Sequence, residues 1–257
     1  MPAAKKTAPS TSTAVAKRAN TNVVSIRDQL RQQAEDQNSK IAPPSGISIQ
    51  ALNTKEFKFP DGTKAPEFEA VIVDFTSMNA FYPGPYDPKN ISPPACFAIG
   101  SNPLQLVPSN NSPAKESDEC KGCPNNEFGS AGDGKACKNM RVLAVLPPDA
   151  DDNTPMWTIK LSPTAIKAFD SYVRGVATTF QLPPVGVVTK FSFDPTSDYA
   201  TVRVSEPQPL NDEQLAVFAA RQDEAAKLLA TEPDVSQFQN PTRAPAKKVA
   251  NARGARR

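Results

Sequence analysis

Four cysteines, Cys96, Cys120, Cys123 and Cys137, follow the spacing C-x23-C-x2-C-x13-C, and the last three fall within ECKGCPNNEFGSAGDGKACKN, residues 119–139. That stretch is nearly empty of aliphatic side chains, so hydrophobic burial cannot hold it and another cross-link is required. Two residues between Cys120 and Cys123 put both sulfurs on one side of a tight turn, and Gly122 lets the backbone curl toward a cation. A structural zinc site needs four thiolates at about 2.3 Å in a tetrahedron, usually one close pair and two ligands from elsewhere. The expected ligands are therefore Cys96, Cys120, Cys123 and Cys137, with the glycine-rich run 129–134 letting Cys137 reach back. Zinc is the expected metal, and Cys123-Pro124 keeps an iron–sulfur cluster open as the runner-up. The plain alternative is a buried strand cysteine at 96 and three free loop thiols. Lys121, Lys135 and Lys138 surround the pattern, where they would offset the charge of a four-thiolate centre or form a basic face beside it.

The chain has no histidine. Ser-His-Asp and Cys-His triads, histidine-ligated zinc hydrolases and the commonest general base are thereby removed, and an all-cysteine metal site leaves no open position for chemistry. GSAGDGKAC imitates a phosphate loop, yet Ala136 stands where the hydroxyl residue should follow the lysine. Carboxylate pairs at Asp118-Glu119 and along 149–152 lie in polar, proline-containing loops. The expectation is a protein without catalytic activity. A thioredoxin-like dithiol at CKGC lacks the surrounding strand–helix–strand pattern.

Twenty-seven prolines in 257 residues and a mean hydropathy of −0.45 imply that part of the chain does not pack. No run of eighteen apolar residues occurs, so no transmembrane helix is expected, and MPAAKKTAPSTSTAVAKRAN lacks the apolar centre of a secretory signal. A soluble protein in a reducing cytoplasm, where disulfides are disfavoured, is the resulting expectation. Residues 1–45 carry seven Lys/Arg against three Asp/Glu and residues 232–257 six against two, so two basic tails flank an acidic body. Such arms attract phosphate backbones or acidic partners, or simply keep the chain in solution.

Four segments follow. Residues 1–45 read as a disordered basic arm with a short amphipathic helix in 22–36, where Val23, Ile26, Leu30 and Ala34 recur at helical spacing for a protein partner. Residues 46–210 read as the β domain. Phe57 and Phe59 lead into an Asp61-Gly62 turn, Val71-Ile72-Val73 marks a central strand, and ACFAIG, MRVLAVLP and MWTIKLSP give further strands. LSPTAIKAFDSYVRGVATTF reads as a helix with Ser162 as N-cap and Ile166, Phe169, Val173, Val176 and Phe180 on one face. VVTKFSF and YATVRVS form a hairpin around DPTSD. Residues 211–231 read as a helix opened by an Asn-x-x-Gln capping box, and 232–257 as a disordered basic tail. The fold class is mainly β with two or three helices: an OB-like small β-barrel with a metal-binding loop insertion, or alternatively a β-sandwich.

NAFYPGPYDPKN presents Phe81, Tyr82 and Tyr86 among prolines, with Lys89 close by. Aromatics on a stiff loop suit base stacking, and they equally suit plugging the end of a barrel.

VIVDFTSMNAFYPGPYDPKNISPPACFAIG and CKGCPNNEFGSAGDGKACKNMRVLAVL together resemble bacteriophage-encoded proteins with a VDF strand, an N-x-FY-x3-YDP loop, a PPACFAIG strand and a CxxCPxNxFGS…GKACK loop. The resemblance spans about residues 47–205, and it implies the cytoplasm of a host cell. In architecture the chain is also similar to phage single-stranded DNA-binding proteins, which combine an OB fold, aromatic and basic groove residues and, in some members, structural zinc. Those proteins commonly end in an acidic tail, whereas this chain ends APAKKVANARGARR. The function implied is binding of single-stranded DNA, or RNA, in phage replication or recombination. Phe81, Tyr82, Tyr86 and Phe128 would stack on bases, and Lys89, Lys121, Lys135, Lys138 and Arg141 would contact phosphates. The other reading is a protein-interaction or virion-associated factor with a zinc-stabilised core.

Overall fold

The computed structural model describes residues 47–84 and 92–236. The chain divides into Met1–Gly46 and Ile47–Arg257, and only the second unit contains described residues. The amphipathic segment 22–36, residues 1–45 as a whole, most of the C-terminal tail, Tyr86 and Lys89 therefore lie outside the description.

Strand β4, Phe68–Phe81, is the spine of the molecule. Its Val71-Ile72-Val73 centre is buried on both faces, which is why a run of β-branched residues can extend without an exposed polar alternation. β6, Cys137–Leu146, pairs along one edge of β4 from Val71 to Phe81. β8, Val187–Phe193, takes the first part of the other edge, and β5, Cys96–Gly100, takes the last. β7, Trp157–Leu161, follows β6 outward; then come β1, Ser48–Ala51, in parallel, and β2, Phe57–Lys58, and β3, Lys64–Ala65. β9, Val202–Pro209, ends the sheet beside β8. The Asp61-Gly62 turn forms, with Gly62 at φ 88° and the Asp61 carboxylate accepting from the Thr63 amide at 2.9 Å.

The sheet curls. Phe57 of β2 stacks on Phe193 of β8 at 4.4 Å between ring centres, although four strands separate them in the sheet order. Lys55, in the β1–β2 turn, donates from Nζ to the Ser197 carbonyl in the β8–β9 turn at 2.8 Å. Helix α1, Pro163–Phe180, fills the inside of the curl, where Ala165 and Phe169 join Ile49, Ile72, Ile159 and Phe191. Helices α2, Asp212–Ala220, and α3, Gln222–Leu229, cover the outer face, where Phe218, Ala225 and Leu229 meet Val71, Val73, Met78 and Phe97.

The fold is therefore mainly β, a half-barrel built from one sheet with helices on both faces. A sandwich of two facing sheets is not what forms, because each face of this sheet is covered by helix. Among the described residues no pairing joins β9 back to β3. Two local expectations are corrected. Ser162 occupies the N-cap position of α1 without a capping bond from its side chain, its hydroxyl lying 2.9 Å from that of Thr164 instead. The single C-terminal helix is broken at Arg221, whose guanidinium donates to the carbonyls of Asp151 and Thr154, both at 2.9 Å. The capping box does form: Asn211 Oδ1 accepts from the Gln214 amide at 2.9 Å and Gln214 Oε1 from the Asn211 amide at 3.2 Å.

Phe169 is fully buried and meets Phe75 edge-on at 5.1 Å, so it fastens α1 inside the curl. Phe169→Ala is expected to lower the unfolding free energy by about 3–5 kcal/mol in urea titration. Tyr199→Ala, at a ring 79% exposed, should stay within about 0.5 kcal/mol of the parent.

Candidate metal centre and nucleic-acid interface

Strand β4 shifts register once, between Ile72 and Asp74. Before the shift, Ala70 and Ile72 face the inside of the curl; after it, Phe75 does, while Met78 and Ala80 face the outer helices. Residues 77, 79 and 81 consequently point inward, and the antiparallel register sets each beside partners on both neighbours. Ser77 stands between Gly100 and Arg141, Asn79 between Ala98 and Asn139, and Phe81 between Cys96 and Cys137. A polar ladder thus climbs the inner face and ends at two cysteines.

The other two arrive on the loop between β5 and β6. Leu106 anchors that loop by packing on Ala98 and Cys120, and its carbonyl accepts from the Cys120 amide at 3.0 Å. Gly100 permits the approach, since a Cβ there would lie 3.0 Å from a Leu106 methyl. Gly122 at φ 76° turns the chain between Cys120 and Cys123, and a short 3-10 turn at Pro124–Asn126 follows.

Cys96, Cys120, Cys123 and Cys137 are each 7–8% exposed, none is in a disulfide, and all four line one cavity of about 20 Å³ together with Asn79 and Phe81. A volume of that size holds about one water or one ion. Among the described residues no three cysteine or carboxylate side chains form a preformed coordination group, so the sulfurs surround the cavity without being drawn to a common point. The donor set is nonetheless one that suits a thiophilic cation: four buried sulfurs line the cavity, while the Glu116 and Glu119 side chains that also border it belong to exposed residues.

Burial first, and then the neighbouring cysteines, favour the neutral thiol at Cys120 and Cys137. Burial raises the Cys120 thiol, opposed by a hydrogen bond from the Asn79 side chain and reinforced by Cys96 and Cys123. Burial, then the neighbouring Cys120, Cys123 and Cys96, pushes Cys137 up to about 12, with Lys135 pulling the other way. Four mutually repelling thiolates are unfavourable in this space, and a divalent cation is the group that would relieve the repulsion.

The expected nucleic-acid residues separate into three groups. Phe128 is 80% exposed, with the Lys135 ammonium 5.1 Å from its ring centre. Lys121 and Lys138 are exposed nearby in sequence and loop, the Lys138 ammonium donating to the Lys135 carbonyl at 3.1 Å, and Tyr82 is exposed just beyond the end of β4. Phe81, by contrast, is half-buried in the strand against Cys96 and Cys137 and lines the cysteine cavity, so it plugs the end of the curl.

Arg141 is a correction. Its side chain is 10% exposed, paired with Asp170 of α1 at 3.1 Å and donating to the Ser77 hydroxyl at 3.1 Å. It fastens α1 to the ladder and is not placed to meet a phosphate. Its position in MRVLAVLP carried the signal: the second residue inward on a strand otherwise apolar is a place for a paired cation, not a solvent-facing one. Sequence reasoning also passed over Asn79, Asn126 and Asn139, which meet beneath the cysteines. No family model, curated protein or solved structure matches the chain.

The Cys137 thiol supplies a direct test in the metal-free chain. At pH 8 a group titrating near 12 has about a thousandfold less thiolate than an ordinary thiol near 9, and its greater basicity recovers about thirtyfold of that in nucleophilicity. Alkylation of Cys137 by iodoacetamide, followed by peptide mass spectrometry, should be at least about thirtyfold slower than in the urea-unfolded chain. It should also climb about tenfold per pH unit from 8 to 11. A rate that levels off above pH 9 would show an ordinary thiol.

Proposed function

We propose that this chain is a non-enzymatic single-stranded nucleic-acid-binding protein whose binding face is held in shape by a zinc ion on Cys96, Cys120, Cys123 and Cys137. The observation that carries the reading is the exposed Phe128 ring with the Lys135 ammonium over it, set in the loop that bears two of the cysteines. A large aromatic left open to water beside a cation offers a stacking surface and a phosphate contact at once. Tyr82, Lys121 and Lys138 extend the same chemistry, and Tyr86 and Lys89 follow Tyr82 closely in the sequence. The two basic tails add non-specific, salt-sensitive attraction, which offsets the acidic body. The curled sheet is barrel-like, and an OB-like barrel is the architecture on which single strands are commonly bound.

When bound, the zinc would cross-link β5, β6 and the intervening loop, supplying the stability that the loop's side chains do not. DNA is the expected strand, with RNA bound by the same stacking, and phage replication or recombination is the setting that the sequence resemblance suggests.

Fluorescence anisotropy with a labelled oligo-dT at low and high salt tests the function. Binding at micromolar protein or tighter, weakened by salt, is expected, and Phe128→Ala should weaken it about fivefold to a hundredfold. Absence of binding, or an affinity indifferent to both salt and Phe128→Ala, would sink the reading in favour of a protein-docking role. Elemental analysis of the purified chain should find zinc near one equivalent in a colourless protein, and a brown iron-containing protein would replace zinc by a cluster.

A further inference from the structure

Three buried or half-buried asparagines connect the sheet to the cysteine loop. Asn139 of β6 donates from one amide nitrogen to Asn79 Oδ1 at 2.6 Å and to Asn126 Oδ1 at 3.0 Å. Asn126, on the loop, donates in turn to the Cys120 carbonyl at 2.8 Å and accepts from Lys135 Nζ at 3.4 Å. Asn79, 5% exposed on β4, lines the cysteine cavity together with Cys120.

The Asn79–Asn139 pair alone would be an ordinary cross-strand amide contact, satisfied and structural. Two features go beyond that. The pair continues onto the loop through Asn126 to the backbone of Cys120, and Asn79, whose oxygen already accepts from Asn139, lines the same cavity as the Cys120 sulfur. Donors to a ligating sulfur spread its charge and fix its direction, which tunes a metal centre as surely as the ligands do.

We propose that Asn79 and Asn126 are positioning residues of the cysteine metal site, Asn79 by donating N–H to the Cys120 sulfur and Asn126 by fixing the Cys120 backbone to the sheet through Asn139. This rests on the metal site proposed above. It assigns the two amides different effects: Asn79 acts on the electronic state of the sulfur, and Asn126 acts only on where the sulfur is held.

Cobalt(II) titration of the full-length metal-free chain separates them, because thiolate-to-cobalt charge transfer reports sulfur donation and the d–d bands report tetrahedral geometry. Asn79→Asp keeps the side-chain shape but removes the N–H donors. It is expected to weaken cobalt binding about tenfold to a hundredfold and to move the charge-transfer band to lower energy. Asn126→Ala is expected to weaken binding by a similar factor while leaving that band in place. Wild-type affinity and band position in Asn79→Asp would overturn the proposal and leave the metal site standing. If Asn79→Asp loses its far-UV circular dichroism, Asn126→Ala at its half-buried loop position still decides, since unchanged cobalt affinity there overturns the proposal. A wild-type chain with no tetrahedral cobalt spectrum would overturn the metal reading and this proposal together.

Discussion

Strand β4 has to satisfy two different environments on each of its faces, and the register shift between Ile72 and Asp74 is what allows it. In an unbroken strand, residues 70, 72, 74, 76, 78 and 80 would share one face. Met78 and Ala80 would then point into the curl, and Ser77 and Asn79 would be buried against the apolar outer helices without partners. Each stranded polar side chain would cost about 1–3 kcal/mol. With one extra residue at Val73, Met78 and Ala80 reach Phe218 and its neighbours, and Ser77, Asn79 and Phe81 turn inward. The Asp74 carboxylate accepts from the Phe75 amide at 2.8 Å, stabilising the irregular turn of backbone.

The arrangement at the cysteine end follows from that phase change. Inward residues meet their register partners, so Ser77 finds Arg141, Asn79 finds Asn139, and Phe81 separates Cys96 from Cys137. The Arg141–Asp170 pair then links the ladder to α1, one end of its guanidinium on Asp170 and the other on Ser77. Because the Arg141 side chain is largely screened from water while Asp170 is partly exposed, the pair matters most for the buried guanidinium, and its main effect is to fix how α1 sits in the curl.

Much of this was legible in the chain, for identifiable reasons. Apolar clustering at Val71-Ile72-Val73 and helical spacing of Phe169 and Val176 reflect burial, which sequence pattern records directly, and both sites are buried. The Asn211-Gln214 box is local, so four residues suffice to specify it. What pattern does not record is a change of phase. The switch from apolar even positions at 70 and 72 to an apolar odd position at 75, with Asp74 between, is visible only when two half-strands are compared. Missing it hid the inward direction of Asn79 and the partner of Arg141, a residue whose role depends on Asp170, twenty-nine positions away. Phe81 was open between stacking and plugging for the same reason: the prolines that follow suggested a loop, and the strand runs through it.

Under the proposed reading, one cation in the cysteine loop serves both structure and binding. Lys135 lies over Phe128, reaches Asn126 Oδ1, and lowers the thiol of Cys137 against the effect of burial. None of these contacts is strong alone: the cation–π contact at an exposed ring contributes about 0.5–1 kcal/mol, and the amide contact is long. A phosphate could therefore recruit the ammonium without dismantling the loop, provided that the sulfurs, the Leu106 anchor and the asparagines hold the backbone independently. A loop with few aliphatic side chains keeps its aromatic ring outward only if its shape is set from beneath. The division between buried sulfur and amide below and exposed ring and ammonium above is what makes that compatible with binding a strand.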